Sequence, residues 1–92
     1  HEKCPDIDKL IADPINTPIV EDPPIMFALC SALSMRATDK NMGNILQYVQ
    51  RLPNEEFQAY FLKDALSRDE TLKQNKDVRL WAGKSGNGKY LV

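Results

Sequence analysis

The sequence predicts an all-α domain, a compact orthogonal bundle of four to six short helices carrying a Pro-rich extended strap. Three observations lead there. Apolar residues recur at the i, i+3, i+4 spacing of a helix face in successive segments. Prolines and capping residues fall where those segments start and stop. No stretch shows the strict polar–apolar alternation of a half-buried strand. Ninety-two residues suit one domain. Within it we read a short helix over 6–12, a Pro-rich connector over 13–23, a helical core over 24–82 and a mobile basic tail over 83–92.

The first helix has Asp6 as N-cap, with Ile7, Leu10 and Ile11 on one face. Asp13-Pro14 ends it, because a residue before proline is pushed out of the helical region. Four prolines between Pro14 and Pro24 keep the next stretch extended. Ile15, Ile19 and Val20 are apolar enough to be buried, so this stretch reads as a strap laid over the helices. A second helix begins at Asp22-Pro23-Pro24, where proline's missing N–H costs nothing in the first turn. It runs to Arg36 and is apolar nearly all round until Ser34, which predicts the central, most enclosed helix.

Thr38 and Asp39 offer caps for a third helix, Asn41 to Arg51, with Met42, Ile45, Leu46, Val49 and Leu52 inward. Pro53 marks the start of a fourth, near its first helical position. Glu55 and Glu56 complement the dipole there, and Phe57, Tyr60, Phe61, Ala65 and Leu66 form the buried stripe. One turn around Leu72 follows. Asp77 is the predicted cap of a last short helix with Val78 and Trp81 inward, before a glycine-rich tail.

Hydrophobic residues make up 42% of the chain and charged ones 27%, which excludes a disordered or membrane-embedded class. The longest apolar run, Ile25 to Leu33, is far short of the ~20 residues of a membrane span. No signal peptide is visible, and a leading His1 without a Met points to a piece of a longer gene product. Two cysteines, Cys4 and Cys30, make no disulfide framework and read as reduced thiols of a cytoplasmic protein. Charge is graded along the chain. Residues 1–25 carry two lysines against six acids, a balance of −4; residues 71–92 carry five cations against Asp77, a balance of +4. Such a molecule presents an acidic face and a basic one to partners.

No residues are assigned as catalytic, cofactor-binding or metal-binding. The tail Gly83-Lys84-Ser85-Gly86-Asn87-Gly88-Lys89-Tyr90 nearly spells the phosphate-binding loop G-x-x-x-x-G-K-[ST]. That loop needs a strand before it, a helix after it and a hydroxyl where Tyr90 stands, so the match is read as accidental. The pairs Asp6/Asp8, Glu21/Asp22 and Glu55/Glu56 are explained as caps and first-turn charges. His1 is the sole imidazole, and Ser31 and Ser34 have no base partner in sequence. Trp81 and Tyr90 with Lys76, Arg79, Lys84 and Lys89 make a nucleic-acid surface conceivable, but Trp81 reads first as a packing anchor.

Several segments together resemble a known family. These are Asp6-Ile7-Asp8-Lys9-Leu10-Ile11-Ala12-Asp13-Pro14, Thr17-Pro18-Ile19-Val20, the apolar helix Ile25 to Leu33, Gln47-Tyr48-Val49-Gln50-Arg51-Leu52-Pro53-Asn54-Glu55-Glu56-Phe57-Gln58, Lys63-Asp64-Ala65 and Trp81-Ala82. In that order the chain is similar, over roughly residues 5–82, to the C-terminal helical region of MoxR-like AAA+ ATPases of phages and prophages. The resemblance implies a non-catalytic accessory domain following an ATPase core that binds ATP and magnesium upstream. It implies assembly or partner binding, with the core of the same polypeptide or another protein as partner. Two alternatives stand beside it: an independent protein-interaction module, and a small nucleic-acid-binding domain using the basic tail.

Overall fold

The computed structural model describes residues 3–92. It is all-helical, without strands among the described residues: α1 (Ile7–Ala12), α2 (Pro23–Arg36), α3 (Met42–Val49), α4 (Glu55–Arg68), a 3-10 helix at Glu70–Gln74, α5 (Lys76–Ser85) and a second 3-10 helix at Asn87–Leu91. His1, expected to be the sole imidazole, lies outside the described residues.

Side-chain caps set most of the helix starts. The Asp6 carboxylate accepts the Lys9 N–H, Asn54 accepts the Glu56 N–H, and Asp69 accepts the Thr71 N–H. Three boundaries differ from the sequence reading. Pro53 stands one residue ahead of the cap Asn54 rather than inside α4. Helix α3 is shorter than expected at both ends: Thr38 and Asn41 bond reciprocally, side chain to backbone, in a turn before it, and the Arg51 and Leu52 N–H groups turn to the carbonyls of Tyr48 and Val49, three residues back, after it. The cap of α5 is Asn75, not Asp77. Its carbonyl oxygen accepts the N–H groups of Asp77 and Val78 while its amide donates to the Asp39 carbonyl and carboxylate. That one buried amide starts α5 and ties it to the turn preceding α3.

The core is a single cluster drawn from every helix, with Leu10, Met26, Leu29, Leu33, Met42, Ile45, Tyr48, Phe61, Leu62 and Val78 fully enclosed. The Pro-rich connector is a strap, as its apolar residues predict, and polar groups pin it. Arg51 donates to the carbonyls of Pro14 and Thr17 at 2.6 and 3.2 Å. The Tyr48 hydroxyl donates to the Pro18 carbonyl at 3.0 Å and accepts the Val20 N–H at 3.2 Å. Val20 is buried on the inner side of the strap, whereas Ile15 points out to solvent, against expectation. A proline-rich backbone has no internal ladder, so these side chains of α3 and its end supply the partners it lacks.

The C-terminal tail also departs from the sequence reading. Residues 83–85 are the last turn of α5, Gly86 ends that helix at φ +84° with its N–H on the Ala82 carbonyl, and a 3-10 helix follows. Only glycine adopts that left-handed angle without strain, so the glycine-rich segment acts as a helix stop rather than a loose loop. Tyr90 and Leu91 then fold back against the core.

Candidate functional site

Helices α2 and α4 run side by side in the same direction, and rungs at matched levels join them. The Phe27 ring meets Phe57 edge-on at 4.8 Å and Tyr60 edge-on at 5.3 Å. One turn on, the hydroxyls of Ser31 and Tyr60 are 2.9 Å apart. A further turn on, the Ser34 hydroxyl bonds Asp64, whose carboxylate also takes Arg68 at 3.2 Å. Pairing advances by equal steps on both helices, from Phe27/Phe57 to Ser34/Asp64, which is what parallel neighbours must do.

The inner sides of the pair fill the core and the outer sides make a broad face. On α2 the spacing Pro24, Ala28, Ser31, Met35 forms one outward stripe, and on α4 the spacing Glu56, Tyr60, Lys63, Ser67 forms another. Phe27 lies in the seam, 44% exposed; Tyr60 is 37% and Met35 65% exposed. These positions overturn two expectations. Helix α2, expected as the central and most enclosed helix, leaves one apolar side exposed, and Tyr60 stands outside the buried stripe of α4, in which Leu62 is buried instead.

Charge is sorted along this face. At the starts of both helices an open cavity of about 620 Å³ is lined by Glu21, Pro23, Pro53, Asn54, Glu55, Glu56 and Phe57. Two turns along α4 the sign changes. Lys63, Lys73 and Tyr90 line a groove of about 420 Å³ with Leu66, Ser67 and Glu70. The ammonium groups of Lys63 and Lys89 stand 5.7 and 5.3 Å from the Tyr90 ring centroid, a favourable placement over a π face. Lys73 pairs with Glu70 at 3.4 Å. Neither Lys63 nor Glu56 has an opposite charge within ion-pair distance among the described residues.

The structure regroups the residues singled out from sequence. Trp81 is buried in the core and offers no stacking surface. Of its expected basic companions, only Lys89 stands beside Tyr90, joined there by Lys63 from α4, which sequence spacing did not suggest. Arg79 turns back to the Lys73 carbonyl at 3.2 Å. Asp6 is a cap, and Asp8 pairs with Arg36 across α1 and α2. No group of three or more His, Cys, Asp or Glu is placed to hold a metal among the described residues. Ser34 does have a carboxylate partner, Asp64, a pairing visible only once α2 and α4 are aligned. Buried and bonded to Asp64, Ser34 links the two helices. Cys30 is fully buried, and burial pushes its thiol up to about 12, so it holds its proton and reacts slowly. Cys4 is exposed.

No helix among the described residues is long and apolar enough to cross a membrane. In comparison with known proteins, the chain matches no family description, no curated protein and no solved structure at a significant level.

Proposed function

We propose that this chain is a non-catalytic C-terminal accessory domain of a MoxR-like AAA+ ATPase of the phage or prophage type, serving assembly or the binding of a partner or substrate. In this reading ATP and magnesium are held upstream, the parent is the ATPase, and the protein works in the cytoplasm. Two things support it: the ordered resemblance of residues 5–82, and the exposed aromatic face of α2 and α4. The face is the observation that weighs most for partner binding, and the resemblance is what points to an ATPase parent. A domain this small has few apolar side chains to spare, and leaving Phe27, Tyr60 and Met35 together in water is costly unless another surface covers them. The same face serves an independent protein-interaction module equally well. The nucleic-acid alternative is disfavoured by the burial of Trp81 and by the acidic cavity adjoining the aromatic face.

The proposal expects the 92-residue chain to give no magnesium-dependent ATP turnover above background. The segment that nearly spells a phosphate loop is split between the end of α5 and a 3-10 helix, and its glycine closes a helix. Turnover that disappears with Lys89→Ala would overturn the proposal, because Lys89 is the lysine of that near-match.

A further inference from the structure

We infer that the α2–α4 face docks onto the same face of a second copy, antiparallel, about a two-fold axis lying in the interface at the level of Ser31 and Tyr60. This deepens the assembly reading and rests on it, by naming the partner. The argument is one of self-complementarity. A two-fold interface presents one patch to itself, so the patch must match its own reversed image. This one does so in both charge and shape.

Charge comes first. Tyr60 is the midpoint of the outward stripe of α4, with Glu56 one turn before it and Lys63 one turn after. At 1.5 Å per residue these lie about 6 Å and about 4.5 Å from the proposed axis, on opposite sides. Reversal of the helix direction therefore sets Glu56 over Lys63 of the second copy, and Lys63 over Glu56 of the second copy. Neither charge has an ion-pair partner within the chain among the described residues, and Lys63 would exchange only its contact with the Tyr90 ring for the carboxylate. A parallel arrangement about an axis along the helices would instead set α4 over α2 of the second copy, whose outward stripe carries no charge to meet Glu56 or Lys63.

Shape follows the same reversal on α2. Ala28 stands one turn before Ser31 and Met35 one turn after it. The antiparallel pairing lays the long, flexible Met35, 65% exposed, over the small Ala28 of the second copy. Tyr60 faces Tyr60 of the second copy at the axis, with the Phe27 rings beside it, which is the aromatic centre and charged rim of a protein interface. Each helix is about 21 Å long and the pair about 20 Å wide, so the footprint is about 400 Å² per copy. That is about 800 Å² in total, below the range of stable interfaces and in that of transient ones, so the dimer is weak and exchanges rapidly.

Sedimentation velocity of the 92-residue chain over about 10–500 µM, the range in which a small interface associates, tests this. The native chain is expected to shift reversibly from monomer toward dimer. Glu56→Lys and Lys63→Glu should each hold the chain monomeric, with helical circular dichroism unchanged because both positions are exposed. An equimolar mixture of the two variants should dimerise again, since Lys at 56 then opposes Glu at 63 and Lys63 opposes Glu56. A native chain that stays monomeric throughout, single variants that dimerise like the native chain, or a mixture that remains monomeric would each overturn the inference. Such a failure leaves the accessory-domain reading standing, because that reading fails on ATP turnover instead.

Discussion

Replacing Phe61 by alanine is expected to destabilise the domain by about 3–5 kcal/mol, the usual cost of emptying a fully enclosed aromatic site. Phe61 sits where α4 meets the core, with no exposed surface and no polar atom to satisfy, so nothing but packing is lost. A small domain has about 5–15 kcal/mol in hand and little room to collapse around the hole. A loss of this size lowers the melting temperature by roughly 4–8 °C per kcal/mol in a chain of this length, or about 12–40 °C in all. Tyr60→Ala, one residue earlier, removes a ring of similar size from the exposed face and should cost only about 1 kcal/mol, through the Ser31 bond and the Phe27 contact. Urea denaturation of both variants makes the comparison. Equal losses at the two positions would contradict the assignment of one to the core and the other to the surface.

Alkaline pH is expected to weaken the fold beginning near pH 9, with Cys30 as the first cause. Its thiol holds its proton in the folded state up to about 12, against 9.0 in a free side chain. Below pH 9 both states are protonated and the thiol has no effect on stability. Above it the unfolded chain ionises while the native one does not, so stability falls at about 1.4 kcal/mol per pH unit until the folded thiol itself ionises. The loss by pH 10.5 is about 2 kcal/mol. Tyr48 acts in the same direction above its free value of 10.0: burial raises it, outweighing the Val20 N–H and the nearby Arg51 charge, which lower it. Cys30→Ser, which cannot ionise in this range but keeps a donor toward the Phe57 carbonyl, should flatten the profile between pH 9 and 10. An unchanged slope in that variant, or a Cys30 thiol that reacts in the native protein as fast as the exposed Cys4, would contradict the burial assigned here.

Much of the fold was legible because short-range rules decide it. Asp6 as a cap, the prolines opening α2, the inward stripe of α3 and the turn around Leu72 each follow from local chemistry that tertiary packing did not override. The misreadings share one cause, the placement of neighbours that a single segment cannot announce. Asn75 became the cap of α5 because Asp39, thirty-six residues earlier, holds its amide. Helix α2 looked enclosed because Phe27 and Met35 are as apolar as Leu29 and Leu33, and composition does not say which side is covered. The exposed stripe did leave a trace in Ala28 and Ser31, small residues set among the bulky apolar side chains of α2. The tail looked loose because its glycines suit both a turn and a helix stop, and the packing of Tyr90 and Leu91 chose the latter. The face itself was the least legible feature, since Ser31, Tyr60, Lys63 and Lys89 come together only after α2, α4 and the C-terminal turn are in place.

The accessory-domain reading makes its most direct claim about the polypeptide that carries this domain. Reading the native open frame upstream of Glu2, and weighing the endogenous product, tests it. The account predicts about 200 or more preceding residues that include a strand, a G-x-x-x-x-G-K-[ST] loop and a helix in that order. A native product only about as long as this chain would contradict it, and the search for function would then turn to direct binding of proteins and nucleic acids by the isolated domain.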